Sequence, residues 1–146
     1  MTRIQQLPIL AASVCVRRGD EVLLVQRGKQ PGLGKWAFPG GKVNFAETTA
    51  QAALRELAEE CGITASIGKM IGLYEVIDAD VHFAIACYFA SDPVGKLMAA
   101  SDAADARWVH VNDIRQLPLA SNIAEVVLDS APQTDCAEHL RTLHQY

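Results

Sequence analysis

No apolar run in this chain is long enough to cross a bilayer as a helix, so a membrane-spanning role is not expected. There is no internal repeat, no low-complexity tract and no linker that would divide the chain. A basic surplus is missing too. Lys and Arg number 13 against 17 Asp and Glu, a net charge of −4, which argues against nucleic acid as a partner. Cysteine is scarce: Cys15, Cys61, Cys87 and Cys136 form neither a CxxC pair nor a Cys/His zinc spacing. Three of them sit in apolar runs and read as buried, reduced thiols, as expected of a cytoplasmic protein. A targeting signal is not evident. The opening MTRIQQLPILAASVCV has one early Arg and a short apolar run. That run continues through Arg17-Arg18-Gly19-Asp20 into a second apolar segment, which is the pattern of a strand. With 146 residues, half of them hydrophobic, the chain is expected to form one domain over residues 1–146.

Residues 9–16 and 21–27 are apolar and flank Gly19-Asp20, which predicts a β-hairpin. Residues 28–35 hold three glycines and Pro31 and read as a loop. Trp36-Ala37-Phe38 reads as a short extended piece ended by Pro39-Gly40-Gly41. Thr48 or Thr49 is placed to cap a helix running to about Cys61, with Gly62 ending it in a left-handed turn. At about 100° per residue, Ala50, Ala53, Leu54, Leu57 and Cys61 share one stripe, with Glu56, Glu59 and Glu60 beside or opposite it. Strands are expected over residues 69–77, 81–90 and 107–109, with a loop over residues 91–104. Helices are expected over residues 111–117 and 122–130, and the tail from Thr134 is left open between a helix and a frayed end. Strands interrupted by one acidic helix, with further helices near the end, predict an α+β fold: a mixed sheet with helices on its faces.

That acidic helix carries the chemistry. Arg55-Glu56-Leu57-Ala58-Glu59-Glu60 sets three carboxylates and one guanidinium within six positions, a cluster whose like charges repel unless a cation intervenes. Glu56 and Glu60 are four residues apart and Glu59 is three from Glu56, so all three can converge on one ion or a pair. Mg²⁺ favours such oxygen ligands. Arg55 is four residues from Glu59 and can hold that acid in place. Glu47 lies at the helix entrance, where the free amide groups favour a carboxylate. Gly40 and Gly41 permit a sharp bend that could leave a carbonyl free for a metal.

Gly41, then Glu47, then Arg55-Glu56-Leu57-x-Glu59-Glu60-x-Gly62-Ile63 resembles the signature of the Nudix hydrolases at every fixed position. The resemblance implies an α/β/α sandwich in which a catalytic loop–helix–loop lies against a mixed sheet. It implies hydrolysis of a nucleoside diphosphate linked to another group, with Mg²⁺ or Mn²⁺ as cofactor. The implied metal ligands are Glu56, Glu59, Glu60 and the carbonyl of Gly40, with Arg55, Glu47 and Gly41 in support. The water-activating base varies within the family; Glu56 is one choice, and Asp102 or Asp105 on a later loop are others, with Glu75 behind them. Arg27 and Lys29 are candidates to reach phosphate, and Trp36 and Phe38 to stack on a base or else pack in the core. His82, His110 and Trp108 read as core or core-edge residues.

The run VLLVQRGKQPGLGKWAFPGG resembles small bacterial members labelled ADP-ribose pyrophosphatases, which makes ADP-ribose or a similar sugar nucleotide the first expectation. A nucleoside triphosphate cleaved to its monophosphate is the second, and a nucleotide sensor without catalysis the third. The proline that ADP-ribose hydrolases often carry some fifteen residues after the signature is absent here. A homodimer is a further family-level expectation.

Overall fold

The computed structural model describes residues 6–129. Strands β1 (Ile9–Arg18) and β2 (Glu21–Arg27) meet beside their turn, at Arg17↔Val22 and Arg18↔Glu21, with Gly19 at φ 58 turning the chain. Beyond the turn they diverge. On one edge β1 runs parallel to β6 (His82–Val94), from Ile9↔Phe83 to Val16↔Ala90. On the other it pairs with β4 (Gly40–Lys42), through Ala12↔Gly41 and Ser13↔Gly40. Strand β2 pairs antiparallel with β3 (Trp36–Ala37) and with β7 (Ala103–His110), and β5 (Thr64–Ile77) lies antiparallel outside β6. The order is β3-β2-β1-β6-β5, with β4 on β1 and β7 on β2.

Two apolar clusters show why this is a three-layer structure. Alternate residues of a strand point to opposite faces. Accordingly Val14, Val16, Leu23 and Val25 pack with Ala52, Ala53, Leu57 and Cys61 of helix α1 (Thr49–Cys61). Cys15, Val22 and Leu24 face the other way, onto Ile114 and onto Ile123, Val126 and Val127 of helix α2 (Ile123–Asp129). The sheet is therefore buried on both sides, giving the expected α/β/α sandwich.

Helix α1 begins and ends where its sequence signals place it. The Thr48 side chain accepts from Gln51 N–H at 3.1 Å, and the Gln51 side chain accepts from Thr48 N–H at 2.9 Å, a reciprocal capping box. Gly62, at φ 68, closes the other end with its N–H on the Ala58 carbonyl at 3.0 Å.

Several expectations change. Residues 111–117 hold a single 3-10 turn, Ile114–Gln116, rather than a helix: β7 runs to His110, residues 111–113 turn the chain, and Pro118 stops the few residues left from winding further. Strands β5, β6 and β7 run well beyond the expected bounds, and β6 takes up the first part of the expected 91–104 loop. Gly40 and Gly41 form a strand instead of a bend. Ala52 and Glu60, not Ala50 and Leu54, complete the buried face of α1. The expectation for the tail from Thr134 lies outside the described residues. No helix among the described residues is long and apolar enough to cross a membrane.

Candidate active site

Helix α1 packs its small residues on β1, which leaves one flank facing β4. Gly41 is needed there for close approach: a Cβ on it would stand 2.5 Å from Glu56 Oε1. Beside it, Gly40 N–H donates to Glu60 Oε1 at 3.1 Å, so β4 and α1 bring both acids to one edge of the sheet. Glu60 is only 5% exposed, the one buried charged residue among the described core positions. Burial pushes its carboxyl up to about 8, against the Gly40 hydrogen bond that pulls it down; the neighbouring Glu56 carboxylate and Asp102 push further up. Below that value the buried acid keeps its proton, and a cation beside it would favour the charged form instead.

Arg55 brings positive charge to the neighbouring acids. Its Nε and Nη2 donate to the two oxygens of Glu47 at 2.8 and 3.0 Å, a bidentate pair. Nη1 donates to Glu56 Oε1 at 2.9 Å and to Glu59 Oε2 at 3.2 Å, and Nη2 also reaches the Lys42 carbonyl at 3.0 Å. One guanidinium thus ties three carboxylates to β4. The Arg55 hydrogen bonds, and after them the Asn44 N–H, hold the Glu47 carboxyl below its ordinary range, and Glu47 in turn raises Arg55. Among the described residues no three His, Cys, Asp or Glu side chains are already gathered as a metal cage. In this arrangement Arg55 is the cation that holds Glu56 and Glu59.

The loop after β6 completes the corner. Met98 N–H donates to the Cys61 carbonyl at 3.0 Å and Ala100 N–H to the Glu60 carbonyl at 2.9 Å, which hangs this loop on the end of α1. Asp102, at its far end, forms an ion pair with Lys29 at 2.9 Å. The other later-loop candidate separates from this group: Asp105 lies in β7, where Arg107 holds its Oδ2 at 2.9 Å. Glu75 is on β5, paired with His82 at 3.3 Å.

The candidates for substrate contact have the following surroundings. Trp36 and Phe38 are buried in the α2-side core, the second of the two alternatives open to them, and Arg107 stacks over the Trp36 ring at 5.0 Å. Arg27 turns its Nε onto the Pro31 carbonyl and packs against Gly32, bracing the loop of residues 28–35. Two contributions had no signal in the sequence. Tyr88 Oη lies 2.6 Å from Thr49 Oγ1 and pins the first turn of α1 to β6. The Lys42 carbonyl is a backbone group, which residue identity does not mark.

A mixed sheet carrying a loop–helix–loop with clustered carboxylates defines the class of this protein. A profile of the NUDIX domain matches residues 7–129, and the chain belongs to the NUDIX family. It is 31% identical over 117 residues to an ADP-ribose pyrophosphatase of Methanocaldococcus jannaschii, covering 79% of this chain and 69% of that protein. It is 33% identical over 120 residues to the CTP pyrophosphohydrolase of Escherichia coli K12, covering 80% and 85%. Among solved structures, the NUDIX domain of Shewanella oneidensis NrtR complexed with ADP ribose matches with a TM-score of 0.74 at 25% identity, over 86% of this chain and 88% of that one. The chain is accordingly a Nudix hydrolase.

Proposed function

We propose that this protein hydrolyses the phosphoanhydride bond of a nucleoside diphosphate joined to a second group, with ADP-ribose or a similar sugar nucleotide as substrate and a divalent ion, Mg²⁺ or Mn²⁺, as cofactor. The observation that carries the reading is the convergence of Glu56 and Glu60 on Gly40 and Gly41 of β4. The donor set fits such an ion: it is all oxygen, it is partly buried, and its crowded acids gain from a cation. Glu56, Glu59, Glu60 and the Gly40 carbonyl are the proposed ligands. When bound, the ion supplies neutralisation of the diphosphate and polarisation of its phosphate oxygens.

The chain's own groups have separate tasks. Arg55 and Glu47 fix the direction of Glu56 and Glu59. Gly41 leaves room for the Glu56 carboxylate against the strand. The reaction joins a water oxygen to one phosphorus as the bridging P–O bond breaks, and a base must take the water proton. We assign this task to Glu56 on α1 or to Asp102 on the loop hung from its end, ahead of Asp105, which lies apart in β7.

The names of the Methanocaldococcus relative and of the NrtR complex support ADP-ribose. The E. coli relative supports a second reading, a nucleoside triphosphate cleaved to its monophosphate and diphosphate. Product analysis decides. ADP-ribose should give AMP and ribose 5-phosphate with Mg²⁺ and neither product with a chelator. Preferred cleavage of CTP or another triphosphate would establish the second reading. Tight binding of ADP-ribose with Mg²⁺ but no cleavage of any nucleotide would overturn catalysis and make the protein a sensor.

A further inference from the structure

The loop of residues 28–35 and the loop of residues 95–102 leave the sheet at the same corner, since Arg27 at the end of β2 is paired with Ala103 at the start of β7. They are joined there twice. Gly28 N–H donates to the Asp102 carbonyl at 3.0 Å, and a Cβ on Gly28 would already stand 3.0 Å from that oxygen. Lys29 Nζ meets Asp102 Oδ2 at 2.9 Å. The second loop is itself hung on the Glu60 and Cys61 carbonyls, so this ion pair sits beside the acidic end of α1.

The cations around the acids differ in how firmly they are held. Arg55 spends all three of its nitrogens on carboxylates and a carbonyl. Arg27 braces its own loop, and Arg107 holds Asp105. Among the described residues Lys29 pairs with Asp102 alone, and the side chains of that pair are 62% and 60% exposed. An ion pair so open to water gains little from its attraction. A diphosphate offers more negative charge and several acceptor oxygens to the same ammonium, and Lys carries three donors on a flexible stem.

We infer that Lys29 is a substrate-binding residue kept in waiting by Asp102: it exchanges the Asp102 carboxylate for an anionic oxygen of the substrate diphosphate. The exchange neutralises charge that the acids of α1 would otherwise repel, and it leaves Asp102 without its counter-ion next to those acids. The inference rests on the proposed phosphoanhydride hydrolysis.

The test uses the full chain and two readouts. The first is calorimetric binding of α,β-methylene ADP-ribose in Mg²⁺, which is not cleaved; the second is KM against kcat for the nucleotide that the wild-type protein turns over. Lys29→Gln should weaken analogue binding and raise KM about tenfold, the loss of one charge-assisted contact, with kcat changed by less than twofold. Lys29→Arg should restore both. Asp102→Asn should act in the opposite direction on binding, tightening it by releasing Lys29, and this gain should vanish in the Lys29→Gln background. Unchanged binding and KM in Lys29→Gln, or an equal gain from Asp102→Asn with and without Lys29, would overturn the exchange while leaving the hydrolase reading intact. A wild-type protein that neither binds the analogue nor cleaves any nucleotide would overturn both readings at once.

Discussion

Glu60 is the residue on which stability and chemistry pull in opposite directions. Its carboxyl titrates at about 8 in the fold against an ordinary 4.5. Between those values the folded state holds a proton that the unfolded chain has released, so stability falls as pH rises through the window. The metal-free protein should therefore melt at a lower temperature at pH 8 than at pH 5. Glu60→Gln should flatten that slope and abolish most turnover, because the neutral amide removes the charge that burial penalises. A divalent ion needs the deprotonated form, so Mg²⁺ should raise the melting temperature more at pH 8 than at pH 5. Thermal scans from pH 5 to 8, with chelator and with Mg²⁺, check both expectations; a pH-independent melting temperature in chelator would contradict the burial argument. The sequence placed Glu60 beside or opposite the apolar stripe. It lies seven residues after Ala53 and three after Leu57, within that stripe, and a carboxylate there is not expected until a buried partner such as Gly40 N–H is known.

At the scale of elements, α1 was legible because its signals are local: a capping threonine, a 3.6-residue apolar period and a closing glycine. Strand β4 was not. Three residues, two of them glycine, have no side-chain alternation to read, and their pairing with β1 comes from residues some thirty positions earlier. The bounds of β5 were blurred for a related reason, since irregularities near Ile67, Met70 and Gly72 break its alternation. The two glycines of β4 should nonetheless fail differently when changed to alanine. At Gly40 the new Cβ would stand 2.4 Å from the Ala12 carbonyl oxygen and 2.8 Å from Ser13 Cα, so backbone must move. Gly40→Ala should destabilise the fold by about 1–3 kcal/mol or more, the range of overpacking. At Gly41 the obstacle is the far end of the Glu56 side chain, which can swing aside. Gly41→Ala should keep most of its stability and lose activity, because the displaced carboxylate is a proposed metal ligand. Urea unfolding and turnover measured on both variants separate the two cases; equal loss of stability would refute the distinction.

For the whole molecule, the sheet decides where chemistry can occur. The family signature singled out Glu56, Glu59 and Glu60 as candidates, but not that their helix lies against the edge where β1 parts from β2 and accepts β4 instead. Nor could it disclose that Asp102 and Asp105, three residues apart, end in different surroundings, one paired with Lys29 and the other locked to Arg107 along β7. Pairing partners distant in the chain set those outcomes. The site nevertheless depends on the core beneath it. Leu57 is fully buried between α1 and the strands, one residue from Glu56 and three from Glu60. Leu57→Ala should cost about 2–5 kcal/mol, the transfer and cavity terms together. Because α1 is clamped at both ends by its caps and along its acidic flank by Arg55, the helix should keep its place in those molecules that remain folded. Activity per folded molecule should then stay within a few-fold of the wild type at low temperature, and the loss should appear on warming. Glu60→Gln is expected to do the reverse, holding its fold while losing turnover at every temperature. Unfolding curves and turnover recorded on the same samples set the two variants side by side, and a Leu57→Ala protein that stayed folded but inactive would show that α1 is held by packing rather than by its caps and ion pairs.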